Sequence, residues 1–369
     1  MYLYYNINMP KSVYIHIPFC LKKCAYCSFL SGLNPRCSGV YTDGLVKEIK
    51  NFYRGEKLNT LYFGGGTPSL LSVDEIQKIL KCFKTDEKTE ITLEVNPKTC
   101  DKEKLKAFKN AGVNRISLGV QSFDDKLLKI TGRAHSAKEA LQSIENIVSA
   151  GFENYSIDLI YGLPSQSLEM WHKTLDKAKS LMPPHISLYG LKIDKGCDFY
   201  KNPPKDLPDD DLQADMYEAA VEVFAKYRHY EFSNFARSFL FRSRHNLTYW
   251  NLAPYYGFGL GASGFSGTFR YQNECNFEEY LKNPAKEKSY ERTNLLEEHI
   301  FLGFRKSSGI NINKINRIFK IDFDKKYALQ LEKFLTLGLI QKTLHGYKLT
   351  LKGVMLSNSV LCEFLDDVL

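Results

Sequence analysis

Three thiols fall within eight positions: Cys20, Cys24 and Cys27 in "YIHIPFCLKKCAYCSF", directly after an apolar run and with no fourth cysteine nearby. Three chemistries suit thiols so placed. Cys24 and Cys27 form a CxxC that would serve a redox dithiol, but this leaves Cys20 without a role and no thioredoxin-like context follows. His16 with the three cysteines would make four zinc ligands, although structural zinc usually draws its ligands as two separated pairs. The third is a [4Fe–4S] cluster on three thiolates of one loop, each reaching a different iron, with one iron left open for a ligand. The remaining six cysteines, Cys37, Cys82, Cys100, Cys197, Cys275 and Cys362, stand alone, and a lone cysteine usually behaves as a small hydrophobe.

The elements that would position these thiols decide among the readings. β-branched and aromatic runs begin at Val13 ("VYIHI"), Thr60 ("TLYFGGG"), Glu90 ("EITLEVNP"), Arg115 ("RISLGVQSF"), Tyr155 ("YSIDLIYGLP") and His185 ("HISLYGLKI"). Between them lie helical patterns, two opened by capping boxes at Ser72/Glu75 and Ser136/Glu139, with Gly112 and Gly151 where helices should stop. Six βα units imply an α/β fold with a parallel sheet, doubly wound or an incomplete (β/α)6 barrel, and both place chemistry at the carboxyl ends of the strands. The unusual residues sit at those ends: the cysteine loop, then "GGGTP", "EVNP", "GVQSF" and "DLIYGLP". A dithiol or zinc knuckle has no use for such a ring, whereas an open iron needs a pocket for its ligand. The thiols are therefore read as cluster ligands.

Composition narrows the class further. With 369 residues, 44% hydrophobic, the chain can bury one large core and a smaller second one. A net charge of +8, spread along the chain, is weak ground for a nucleic-acid partner and is compatible with anionic small molecules. The odd count of nine cysteines argues against a disulfide framework and for a reducing cytoplasm. "MYLYYNINMPK" has no leader pattern and no apolar run is long enough to span a membrane. The expected divisions are 1–202, a barrel; 203–290, a connector; and 291–369, a small helical domain whose helix–helix–helix–hairpin order is that of a winged helix.

"CLKKCAYC" is CxxxCxxC and resembles the signature of radical S-adenosylmethionine (SAM) enzymes, while "GGGTP" looks like their SAM-binding glycine motif. "YIHIPFC", "FGGGTPS", "EVNP", "LGVQSF", "DLIYGLP" and "HNLTYW", in this order, resemble the oxygen-independent coproporphyrinogen III oxidases and their relatives, the HemW heme chaperones, from Val13 to the C-terminus. The resemblance implies an incomplete TIM-like radical SAM barrel with SAM at the open iron of the cluster. It places Tyr14 beside cluster and SAM, and Gly65, Gly66 and Thr67 along the amino-acid portion of SAM. Glu94, Gln121 and Asp158 would accept from its ammonium or ribose hydroxyls, and Arg133 would pair with its carboxylate.

Three features separate the branches. The oxidases resemble CxxxCxxCxC, whereas Phe29 holds the fourth position here; they carry an N-terminal extension, whereas 13 residues precede Tyr14; and "HNLTYW" matches the HNxxYW pattern of the heme-chaperone branch. The resemblance thus implies heme as cargo, handed to acceptor hemoproteins, with respiratory partners near the membrane compatible with it. The runner-up is radical decarboxylation of coproporphyrinogen III. His245 suits a heme-iron ligand, with Asn246, Tyr249 and Trp250 beside it and Tyr255 and Tyr256 extending a flat aromatic wall. The alternative is that His245 and Asn246 are buried hydrogen-bonding residues joining two domains. "GLGASG" lies outside any βαβ unit and is read as a loop at the barrel mouth rather than a dinucleotide site.

Overall fold

The computed structural model describes residues 9–365; residues 1–8, most of the stretch considered for a leader, and 366–369 lie outside the described residues. The six expected strands form: β1 Ser12–Ile17, β2 Thr60–Gly65, β3 Glu90–Val95, β4 Arg115–Gln121, β5 Tyr155–Tyr161 and β6 His185–Gly190. Each pairs in parallel with the next in sequence. This unbroken order has no reversal point, so the sheet winds as a barrel and not as a doubly wound sheet.

The connector also contributes to this sheet. β7 (Arg228–Glu231) and β8 (Asn234–Ala236) extend it antiparallel beyond β6, and β9 (Tyr256–Phe258) runs parallel outside β1. These strands of three or four residues are too short to display a period in sequence. They leave an open nine-stranded sheet among the described residues.

Alternation along the strands makes the two faces chemically opposite. Val13, Ile15, Leu61, Phe63, Leu93, Ile116, Leu118, Ile157 and Leu188 pack outward in the main core with the surrounding helices. Ser12, Thr60, Thr92, Ser117, Ser156 and Ser187 take the other face and are nonetheless buried. A buried polar face is tolerable only where partners are close, and Ser12, Thr60, Ser117, Ser156 and Ser187 have them, whereas the Thr92 hydroxyl has none among the described residues. Removing an outer ring such as Phe63 would cost about 3–5 kcal/mol, chiefly as lost burial plus cavity.

Both capping boxes form, and the helices before Gly112 and Gly151 end at Asn110 and Ser149, with Ala111 and Ala150 as their C-caps. After β9 the chain makes a small antiparallel sheet of β10 (Ser263–Phe265), β11 (Phe269–Gln272) and β12 (Ser289–Arg292). The "GLGASG" turn joins β9 to β10 and packs on the β1 end: a Cβ on Gly259 would meet the His16 carbonyl, and one on Gly261 would meet Leu30. A second core, built on Ile300, Phe304, Ile315, Phe323, Phe334 and Phe364, lies in the C-terminal helices. The expected hairpin there is β14 (Ile340–Thr343) with β15 (Gly346–Leu349), joined by an additional strand, β13 (Ile310–Asn311). Among the described residues no helix is long and apolar enough to cross a membrane.

Candidate cluster and cofactor site

The cysteine loop leaves β1 at its carboxyl end, where β2 to β5 also deliver their unusual residues. All three thiols are free and half-buried, and each has a different neighbour. Thr67 Oγ1 lies 3.6 Å from Cys20 Sγ, Arg133 Nη1 donates to Cys24 Sγ at 3.5 Å, and Ser31 Oγ lies 3.8 Å from Cys27 Sγ. Asn96 joins the first two neighbours, since its Nδ2 donates to Thr67 Oγ1 at 2.8 Å and its Oδ1 accepts from Arg133 Nη2 at 2.6 Å. A continuous hydrogen-bonded path thus runs from Cys20 through Thr67, Asn96 and Arg133 to Cys24. Asn96 stands in "EVNP" two residues after Glu94, yet sequence reasoning singled out only the carboxylate.

The zinc alternative has no geometry here. His16 Nε2 bonds the Leu30 carbonyl at 2.7 Å and its Nδ1 bonds the Tyr14 hydroxyl at 3.1 Å, so neither nitrogen is free. Among the described residues no three His, Cys, Asp or Glu side chains gather about a single ion.

The backbone beside the thiols is a cradle that a side chain would fill. A Cβ on Gly66 would sit 2.5 Å from the Phe19 carbonyl oxygen and 3.0 Å from Cys20 Sγ. Gly65 holds φ +112°, a region that L side chains rarely adopt, and its amide donates to Glu94 Oε2 at 3.1 Å. Glu94 Oε1 accepts from the Tyr62 hydroxyl at 2.8 Å, and burial pushes its carboxyl up to about 7. Asp158 accepts from Ser117 and Ser156, both at 2.7 Å. Gln121 closes β4 at φ +67° and brings its amide against Gly119, whose carbonyl accepts from Arg133 Nη2 at 2.6 Å. Arg133 Nε is buried without a partner. Thiolates without a disulfide, a glycine cradle and an unsatisfied guanidinium nitrogen fit a cluster carrying a ligand with a carboxylate.

Tyr14, Gly65, Gly66, Thr67, Glu94, Gln121, Arg133 and Asp158 therefore share one end of the barrel with the cysteines. The HNxxYW residues lie toward the opposite end, one ring away: Tyr62 donates to Glu94 and stacks on both Tyr14 and His245. His245, on the Arg244–Trp250 helix, is 1% exposed and lies at the amino end of β2, with Nδ1 2.8 Å from Thr60 Oγ1. At ~3.3 Å per residue, about 16 Å of strand separates Thr60 from Gly65. Its Nε2 bonds the Tyr249 hydroxyl at 2.7 Å, its amide donates to Glu90 Oε1 at 2.9 Å, and its ring stacks on Tyr62 at 5.0 Å. Burial, and then Arg115, bring its pKa down to about 3. The Asn246 amide is capped by Ser243 Oγ at 3.2 Å. Both imidazole nitrogens are hydrogen-bonded, the arrangement expected of a buried joint, the alternative weighed above. The aromatic rings there are not coplanar: Tyr249 meets Tyr255 at 78° and Trp250 at 67°, edge to face, as interdigitated rings pack well.

Residues 14–178 match the family model described as the radical SAM superfamily, and residues 290–356 match the HemN C-terminal domain. The heme chaperone HemW of Lactococcus lactis is 39% identical over 98% of this chain and 99% of its own length. That of Bacillus subtilis is 35% identical over 97% and 100%. Among solved structures, the coproporphyrinogen III oxidase of Escherichia coli superposes with a TM-score of 0.82 over 96% of this chain and 90% of its own, at 22% identity, a likeness of fold. With a radical SAM barrel, a HemN-type C-terminal domain and end-to-end identity at this level, the chain belongs to the HemW heme-chaperone family of the radical SAM superfamily.

Proposed function

We propose that this chain is a cytoplasmic heme chaperone that carries a [4Fe–4S] cluster on Cys20, Cys24 and Cys27, binds SAM at the barrel mouth, and binds heme for transfer to acceptor hemoproteins. The observation that carries the cofactor part is the path Cys20–Thr67–Asn96–Arg133–Cys24, which ties two thiols to the groups that would face SAM. The cargo part is supported by the names of the relatives.

When bound, the cluster and SAM together supply one-electron chemistry. The chain's own residues do the rest. Gly65 and Gly66 admit the amino-acid portion of SAM where a Cβ would collide. Arg133, held by Asn96 and the Gly119 carbonyl, presents a fixed cation to a carboxylate. Glu94 and Asp158, whose remaining acceptor capacity faces the interior, would orient ammonium and hydroxyl donors.

The runner-up, oxidative decarboxylation of coproporphyrinogen III, is favoured by the fold likeness alone. Phe29, 66% exposed, occupies the position at which the oxidase pattern has its fourth cysteine. The two are separated by anaerobic reconstitution with reductant, SAM and coproporphyrinogen III, followed by quantification of protoporphyrinogen IX and 5′-deoxyadenosine. The expected result is no decarboxylation from an intact, SAM-binding cluster, with heme passing to an apo-hemoprotein. Product formed over many turnovers would sink the chaperone as the main role.

A further inference from the structure

A cavity of about 310 Å3 opens between the end of the Arg244–Trp250 helix and the C-terminal domain. This is within the usual range for ligand sites, about 300–1,000 Å3. Trp250, Leu252 and Ile315 give it apolar walls. No Asp or Glu lines it, whereas Lys306 and Lys314 both do. Lys306 Nζ donates only to the neutral Asn251 side chain, at 2.9 Å, and among the described residues neither lysine forms an ion pair. Burial, and then Lys314, lower the pKa of Lys306, as expected of two cations left facing one another. An anion placed between them would relieve that repulsion.

The same cavity holds a histidine in a metal-binding posture. His299 Nδ1 lies 2.8 Å from the Leu295 carbonyl, which can only accept, so Nδ1 carries the proton and Nε2 keeps its lone pair. Ligating imidazoles are commonly fixed by such a bond from the other nitrogen. Phe319 braces the ring edge-on at 5.3 Å. Among the described residues nothing bonds Nε2. The neighbouring Glu298 is taken up by Arg270, at 2.9 and 2.8 Å. Burial, and then Lys314 and Lys306, keep His299 neutral. His245, His16 and His185 contrast with it, each having both nitrogens engaged. Finally, Trp250 Nε1 is buried without a partner beside this cavity, while Arg305 covers the indole at 4.2 Å.

We infer that this interdomain cleft is the heme site: Trp250, Leu252 and Ile315 wall the porphyrin, Lys306 and Lys314 meet its propionates, and His299 Nε2 is the axial ligand. The inference rests on the heme-chaperone reading and gives its cargo a place. A cavity of this size encloses part of a porphyrin and leaves the rest at the surface, as a carrier that must release its cargo requires. In this arrangement the HNxxYW segment serves heme through Trp250 while His245 anchors the helix to the barrel.

The test is titration of the full chain with hemin, read by absorbance and electron paramagnetic resonance, for the wild type and for His299→Ala, Lys306→Gln/Lys314→Gln, His245→Gln and His345→Ala. Circular dichroism and cluster content check that each variant folds. The expected result is a histidine-ligated spectrum in the wild type, lost in His299→Ala and restored by added imidazole. The double lysine variant should keep that spectrum but bind at least about tenfold more weakly, as loss of charge-assisted bonds predicts. If the wild type binds heme while His299→Ala and the lysine variant behave as wild type, the cleft is wrong and the chaperone reading stands. Loss of the signature in folded His245→Gln or His345→Ala alone would likewise move the ligand there and overturn the assignment. A wild type that takes up no heme would defeat the chaperone reading itself.

Discussion

The two ends of the barrel are built from the same six strands and differ in what they leave unsatisfied. At the mouth, Tyr14, Gly65, Gly66, Glu94, Gln121, Arg133 and Asp158 remain half-buried, and one guanidinium nitrogen has no partner. At the base, the Arg244–Trp250 helix is drawn in until His245 uses both ring nitrogens and Glu90 accepts two of the helix's amides. Saturation as such does not separate the ends, since Arg115 Nε and Trp250 Nε1 at the base also lack partners. The difference is that the thiols, the glycine cradle and the Arg133 nitrogen gather at the mouth, while His245 is used up in joining a helix to the base. The contrast also explains why the two histidines flanking the interdomain region diverge. His245 is consumed by structure, while His299 keeps a lone pair.

The sharpest way to break this contrast is to remove a ligand at each end. Cys24→Ala should abolish the cluster, read as loss of iron and of its visible absorbance after reconstitution, while leaving the melting curve nearly unchanged because the thiol is half-buried. His245→Ala should do the reverse. It leaves a cavity and strands Thr60 and Tyr249, costing about 3–5 kcal/mol in denaturant unfolding, with cluster uptake retained by the folded fraction. A melting curve that moves with Cys24 and not with His245 would invert the assignment of the two ends.

Gly66→Ala is smaller in its effect on stability, about 1–3 kcal/mol from overpacking against Phe19 and Cys20. SAM binding by the reconstituted protein should nevertheless be lost, since the added Cβ occupies the cradle. Retention of wild-type SAM affinity would show that the close approach is structural only.

The two ends should also titrate in opposite senses. Glu94 stands at about 7 in the folded chain against 4.5 unfolded, so the folded state binds the extra proton and its stabilising contribution falls as pH rises between those values. His245 stands at about 3 against 6.5, so the unfolded state binds the extra proton and stability falls as pH drops from 6.5 toward 3. For the cluster-free protein, Glu94→Gln should flatten the first slope and His245→Gln the second. Unchanged pH profiles of stability in both variants would mean that neither group is desolvated as described.

Much of the mouth was legible because parallel strand ends collect chemistry by topology: a cysteine loop, a glycine run and carboxylates at successive ends converge whatever the details of packing. Asn96 and Tyr62 escaped because their roles depend on which neighbour's side chain they reach, and spacing along a strand does not state that. The short strands β7, β8 and β9 escaped for want of length, and with them the extension of both sheet edges.

The succession of strands and helices along the chain, the capping boxes, the placement of the thiols and the hairpin of the C-terminal domain follow from the sequence by itself, since each is a local pattern of period or spacing. Whether a histidine is a joint or a ligand is not local. His245 lies in the motif and His299 in an unremarked helix, and only packing decided which one exhausts its hydrogen bonds. An imidazole's availability depends on the partners that tertiary structure brings within about 3 Å of each nitrogen.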